Sequence, residues 1–186
     1  HPDWGGFYDH PPMAGWWLWG LQQISSSTLV LRLPAIFLWI VIAFGMMDLL
    51  RRLQPQSSGK AWMLGSLFLS LLFFCSLNLI TTDTPLIYAS VASACCLLIA
   101  ERRERLDGAA WGLYALSGVL LGAAFLSKYF SVVLGLTYGV YMLLFRRERW
   151  AAYVLLLLCA LPGPAINIAW NMEHCWSNIM FNLINR

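Results

Sequence analysis

Six apolar runs, at residues 33–50, 61–80, 84–100, 109–126, 129–145 and 150–170, are separated by short polar breaks along most of the chain. A helix rises 1.5 Å per residue, so roughly 17 to 25 apolar residues cross a bilayer, and each run has that length. The pattern predicts six transmembrane helices. A barrel does not fit, because its strands alternate apolar and polar residues whereas these runs are apolar throughout. The breaks, Arg51 to Lys60, Thr81-Thr82-Asp83, Glu101 to Gly108, Ser127-Lys128 and Arg146 to Arg149, are short enough to make neighbouring helices antiparallel. Gly112, Gly118, Gly122, Ala123 and Ala124 in one run, and Gly135 and Gly139 in the next, suit close helix packing in lipid. Ahead of the runs, Met13 to Ile24 carries Trp16, Trp17 and Trp19, which suits a short helix lying in the membrane interface. Ser25 to Thr28 then offers a turn and a helix start.

Composition strengthens the membrane reading. Hydrophobic residues make up 60%, charged residues 11%, and mean hydropathy is +0.66, whereas soluble domains are about a quarter charged. Cys75, Cys95, Cys96 and Cys159 lie inside apolar runs and only Cys175 in a polar segment, so no disulfide framework is implied. The first residue is His1, no signal-peptide pattern follows, and Arg186 falls within an amphipathic segment, from which a piece of a longer polypeptide is expected.

Alternation sorts the charges onto two faces. Arg51, Arg52, Lys60, Arg102, Arg103, Arg105, Arg146, Arg147 and Arg149, nine of the twelve basic residues, share one face, which the positive-inside rule makes cytoplasmic. These charges read as those of solvated loops. The opposite face receives His1, Asp3, Asp9, His10, Asp83, Lys128, Glu173 and His174, including every histidine of the chain.

Four features of that outer face are candidates for chemistry. In Gly5-Gly6-Phe7-Tyr8-Asp9-His10-Pro11-Pro12, a phenol, a carboxylate and an imidazole are stiffened by two prolines; the segment is either a plain turn or a grip for a metal, a phosphate or a hydroxyl nucleophile. Asp83, ahead of Pro85, suits a helix N-cap and, at a helix mouth, can also meet substrate. Lys128 is either a lysine snorkelling to the interface or a lone cation suited to phosphate. His174 lacks zinc-motif spacing of its own and becomes a ligand only with a distant partner such as Asp9 or His10. No P-loop, GxGxxG, HExxH or GxSxG pattern occurs, so no nucleotide cofactor is expected, and the basic residues form no nucleic-acid patch.

Five collinear segments resemble a known family. Trp4-Gly5-Gly6-Phe7-Tyr8-Asp9-His10-Pro11-Pro12 resembles the "WGYYDHPP" segment of the protein-mannosyltransferase-like, or GT-C, membrane glycosyltransferases of family 39, which are related to the aminoarabinose transferases. Val30-Leu31-Arg32-Leu33-Pro34 resembles its "xxRLP", Thr82-Asp83-Thr84-Pro85-Leu86 its "TPDAPL", and Leu126-Ser127-Lys128-Tyr129 its "LSKY". Ile168 to Trp176 resembles its "xIWNxxHxW".

The resemblance implies inverting transfer of a sugar from a polyprenyl-phosphate donor to a lipid or protein acceptor at the extracytoplasmic face of a membrane, here a bacterial inner membrane. It implies catalytic roles for Asp9 and Asp83 and substrate binding by Tyr8, His10, Lys128 and Tyr129, with a divalent metal at Asp9 and His174. Lys128 matches a lysine near the lipid phosphate, and His10 stands where the aminoarabinose transferases have a lysine. The family's base is placed in an upstream "Asp-Glu" motif that this sequence does not contain, so this stretch alone is expected not to turn over.

The expected fold is therefore all-α, a polytopic bundle forming part of one GT-C transmembrane domain over residues 1–186. Its parts are an extracytoplasmic loop and interfacial helix at 1–28, six spans within 33–170, and the start of another outer loop at 171–186. Two other functions compete: a transporter or flippase, which calls for broken helices and polar groups at mid-membrane depth, and a scaffold with no site. Asn78 and Asn167 are the main polar residues inside the runs.

Overall fold

A computed structural model describes residues 10–53, 59–60, 62–63, 66–67 and 81–184, and the described residues contain helices and no strands. They are α1 (Met13–Gln22), α2 (Thr28–Leu53), α3 (Asp83–Glu101), α4 (Gly108–Phe125), α5 (Ser131–Phe145), α6 (Trp150–Ala160), α7 (Pro162–Glu173) and α8 (Ser177–Ile184), with a 3-10 turn at Arg147–Arg149. The Tyr8-Asp9 pair, Asn78 and all but four residues of the run at 61–80 lie outside the described residues. The chain divides into two compact units; of the described residues, those from Leu18 to Thr84 belong to one and residues 10–17 with 85–184 to the other.

Three described stretches are long and apolar enough to cross a membrane: Asp83–Glu101, Gly108–Phe125 and the 27 residues Arg147–Glu173. Helix α5, at 15 residues, is shorter than its apolar run because Ser127 to Phe130 form the turn before it. The run at 150–170 holds two helices rather than one. Pro162 has no N–H to give, so the Leu158 carbonyl accepts from Leu161 instead, yet Leu161 keeps right-handed helical angles and the axis continues. In the unit from Leu18 to Thr84, α2 starts at Thr28, at the end of the expected Ser25 to Thr28 turn, and carries Pro34 inside its second turn.

In the larger unit the seam between α4 and α6 is built on glycine. The two helices run parallel, and a Cβ on Gly118 would stand 2.1 Å from the Leu156 carbonyl oxygen, one on Gly122 2.7 Å from that of Ala160. Gly163 meets the Gly122 carbonyl in the same way, at 2.5 Å. Small residues thus let backbones touch, the packing device of helices in lipid. Gly112, expected to join this surface, is exposed with nothing near its Cβ position, because it faces away from α6. Around the seam Leu97, Tyr114, Leu121, Tyr138, Met142, Tyr153 and Leu156 form the buried core, while Val133, Leu136, Leu144 and Leu158 stay exposed on the outer surfaces.

Mid-bundle polar groups pair with one another. Ser93 Oγ donates to the Ser117 carbonyl (2.8 Å), Ser117 Oγ to the Ser93 carbonyl (2.9 Å), and the Tyr138 hydroxyl to Ser93 Oγ (3.2 Å). Such hydroxyl bonds between helices contribute roughly 0.6 to 2 kcal/mol each. They hold α3 against α4 without leaving a buried donor unmatched.

At one end of these helices the arginine loops close on themselves. Arg149, 4% exposed, donates to the Ala100 carbonyl (2.9 Å) and to that of Arg103, satisfying acceptors where α3 runs out. Glu101, its side chain 6% exposed, pairs with Arg146 at 2.7 Å and accepts from the Tyr114 hydroxyl. Asp107 starts α4 by accepting from the Ala110 N–H (2.8 Å), a cap contributing about 1 kcal/mol. The expectation that these charges are simply solvated thus fails for Arg149 and Glu101. Their carbonyl and phenol partners come from segments far apart in sequence, which a local pattern does not reveal.

Candidate functional site

The opposite end gathers three of the segments singled out by sequence. After His10, Pro11 and Pro12 are buried, and the Met13 N–H donates to the Leu126 carbonyl (3.0 Å). That bond fixes the start of α1 against the end of α4, two residues before Lys128. Trp17 stacks on Tyr88 of α3 with ring centroids 5.5 Å apart, holding α1 at a second point.

Lys128 and Tyr129 sit in the turn between α4 and α5. The Lys128 N–H bonds back to Ala124 (3.0 Å), and its carbonyl accepts from the Ser131 N–H (3.2 Å), so the half-buried lysine is carried on a hydrogen-bonded turn. Tyr129 turns inward, its ring 5.2 Å from that of Phe125. Its hydroxyl reaches Asn167 Oδ1 of α7 (3.1 Å) and the Asn178 amide of α8. Burial pushes this phenol above its ordinary value and the bond to Asn167 draws it partly back, so it remains a donor at neutral pH.

Asparagines extend this network to the last predicted segment. Asn171 Nδ2 donates to the Asn167 carbonyl (2.9 Å) and lies 3.3 Å from Asn167 Oδ1, while Asn171 Oδ1 accepts from the Ile179 N–H (3.2 Å) in the first turn of α8. Between α7 and α8 the chain turns through Cys175 and Trp176 at φ of 54° and 59°, a left-handed pair costly for residues with side chains. The Trp176 N–H donates to the Asn171 carbonyl (2.8 Å), which helps hold that turn. His174 stacks on Trp170 with centroids 4.1 Å apart and planes 9° apart. Its Nδ1 lies 2.8 Å from the Trp170 carbonyl, which can only accept, so Nδ1–H is the donor of that bond and Nε2 is the nitrogen pointed away from it.

His10, Lys128, Tyr129 and His174 therefore belong to one unit, tied by the Met13–Leu126 bond and the Tyr129–Asn167–Asn171 chain. Asp83 is the first residue of α3, where an acid complements the helix dipole, and belongs to the other unit. Tyr8 and Asp9 lie outside the described residues. Among the described residues no three His, Cys, Asp or Glu side chains come together for a metal, and His174 brings one nitrogen. Beside the turn, Leu121, Phe125, Val132, Leu136, Leu157 and Leu161 line an apolar groove of about 330 Å³ that also holds the Ser131 hydroxyl, 3% exposed.

Sequence reading missed the roles of Asn171, Asn178 and Trp170. The signal was present as two asparagine pairs at i,i+4 spacing, Asn167 with Asn171 and Asn178 with Asn182, on consecutive helices.

No curated protein and no solved structure matches the chain. The profile of the dolichyl-phosphate-mannose-protein mannosyltransferase family matches residues 9–170, nearly the whole length. It begins at the Asp9-His10-Pro11-Pro12 corner, runs through the Lys128-Tyr129 turn and ends at Trp170, so it covers Tyr129 and Asn167 of the amide network, while Asn171, His174 and α8 follow it. The chain belongs to this family of GT-C membrane glycosyltransferases.

Proposed function

We propose that the Lys128 end of this chain is the donor side of a glycosyl-transfer site, taking a sugar from a polyprenyl phosphate and passing it, with inversion, to a lipid or protein acceptor at the extracytoplasmic face. The observation that carries this is the joining of His10, Lys128-Tyr129 and His174 at one end of the bundle, in a chain whose family transfers sugars. The arginine-rich loops at the other end support the sidedness through the positive-inside rule.

In such a transfer an acceptor oxygen attacks the anomeric carbon, the bond from that carbon to the phosphate oxygen breaks, and its electron pair leaves with the phosphate. The acceptor proton goes to a base. Lys128 is suited to meet the charge that grows on the leaving phosphate, because a cation carried on a fixed turn needs little reorganisation. The apolar groove beside that turn suits part of an isoprenoid chain. Asp9 is the carboxylate proposed for this end, Tyr8, His10 and Tyr129 the further substrate contacts, and Asp9 with His174 Nε2 the ligands for a divalent metal; for Asp83, in the other unit, a catalytic role is proposed from the family resemblance alone.

A transporter reading has less support. The Leu161–Pro162 break keeps helical angles instead of unwinding, and the Ser93, Ser117 and Tyr138 hydroxyls satisfy one another. Transfer of labelled sugar from a polyprenyl-phosphate donor, measured in membranes containing the protein, tests the proposal. Lys128→Ala and Asp9→Ala are each expected to lower the rate by on the order of 100-fold at unchanged protein level. Undiminished transfer in both would refute the assignment.

A further inference from the structure

Three buried polar groups at this end have no partner among the described residues: the Ser131 hydroxyl, which can both donate and accept, and two groups that only donate, Asn167 Nδ2, on a side chain 2% exposed, and the indole Nε1 of Trp170, 7% exposed. The two donors lie three residues apart on α7, on the face that also buries Gly163 and Asn171. An unmatched N–H buried in a bundle surrounded by lipid has lost its water partners and gained none, so two on one helix face are a standing penalty.

The hydrogen bonds around them say what kind of atom would relieve it. Asn167 Oδ1 faces the Tyr129 hydroxyl and Asn171 Nδ2, which fixes the amide so that Nδ2 is the end left over. The Trp170 carbonyl already accepts from the His174 N–H (3.1 Å) and from His174 Nδ1 (2.8 Å). A hydroxyl or a water would bring hydrogens of its own to a place where Asn167 Oδ1 and the Trp170 carbonyl are already taken. An acceptor-only oxygen brings none. Tyr129, which binds Asn167, follows Lys128 in the chain, so such an oxygen would lie close to a turn that carries a cation.

We infer that Asn167 Nδ2 and Trp170 Nε1 form a neutral two-donor site for a phosphate oxygen, with Lys128 supplying the charge nearby. The inference rests on the proposed function for the source of that phosphate, the polyprenyl-phosphate donor. Asn167 and Trp170 would orient the phosphate, so that its attached sugar faces a fixed direction, while Lys128 offsets its charge. Tyr129 and Asn171 act through Asn167 and are positioning residues.

The test is the indole N–H resonance of Trp170 in the ¹⁵N-labelled chain in lipid nanodiscs, identified by its loss in Trp170→Phe. Farnesyl phosphate, inorganic phosphate and farnesol are the probes. Farnesyl phosphate is expected to move the indole proton downfield, and farnesol is not. A matching shift with inorganic phosphate assigns the site to phosphate itself, and a shift with farnesyl phosphate alone assigns it to lipid-borne phosphate. Asn167→Asp keeps the acceptor for Tyr129 and Asn171 but replaces the donor with a charge, and should weaken farnesyl phosphate binding by about tenfold or more. Trp170→Phe should weaken it by about tenfold with the amide intact. An unmoved indole, or an equal shift with farnesol, overturns the inference. If the indole stays still while wild-type transfer is lost in Lys128→Ala, the site falls and the proposed function stands. If it moves but no polyprenyl-phosphate sugar is used, the function falls and the phosphate site stands.

Discussion

The two ends of the larger unit solve the same problem with different chemistry. At the arginine end, charged groups are drawn inward and matched: Arg149 on two carbonyls, Glu101 on Arg146 and Tyr114. At the other end the buried polar groups are amides, hydroxyls, a phenol and an indole, and the matching stops short at the Ser131 hydroxyl, Asn167 Nδ2 and Trp170 Nε1. Charge has to be neutralised within the fold, because an uncompensated ion in a low-dielectric setting costs several kcal/mol. Neutral donors cost less when unmatched and can therefore be kept for a ligand. The closed end is structural, and the open end is where binding is to be sought.

The sharpest way to break this comparison is to remove what spaces the two ends. Gly118→Val would place a side chain where a Cβ already lies 2.1 Å from the Leu156 carbonyl, forcing α4 from α6. Loss of folded protein in detergent, seen as aggregation by size-exclusion chromatography, is expected; a monodisperse variant with wild-type melting would show that the seam tolerates separation.

Next in size is the arginine end itself. Arg149→Ala removes two charge-assisted bonds to carbonyls and should destabilise the protein by about 3 kcal/mol, read as a lower thermal midpoint. Transfer per folded molecule should be unchanged. An activity loss larger than the stability loss would contradict the division of labour drawn between the ends.

Smallest in stability is Tyr129→Phe, which deletes one hydroxyl and leaves Asn167 and Asn178 amide groups without it, at a cost of about 1 to 2 kcal/mol. Here the effect on transfer should exceed the effect on stability. Equal losses would make Tyr129 a packing residue only.

Much of the helical layout was readable because hydropathy is a local property. The runs at 84–100 and 109–126 became α3 and α4 within a residue or two, since apolar length needs no tertiary information. The start of α5 was less legible, as Tyr129 and Phe130 look like span residues until Tyr129 is seen bonded to α7. Lys128 stood out as an isolated charge, and His174 as the lone imidazole of its segment. Asn171 and Trp170 did not, because an amide or indole in an apolar run shows its worth only through its partners. Arg149 misled for the same reason, as its acceptors lie some 46 to 49 residues away.

By itself, then, the sequence determined that the chain is helical and membrane-bound, because burial in lipid selects residue type position by position, and it singled out the short polar segments for which chemistry is proposed. Only the tertiary structure decided that Tyr129 joins α7 and α8, that Arg149 is buried, and that two donors of α7 remain unmatched. A hydrogen bond belongs to a pair of groups, and the pairs here are made by helices that meet only after the chain has folded.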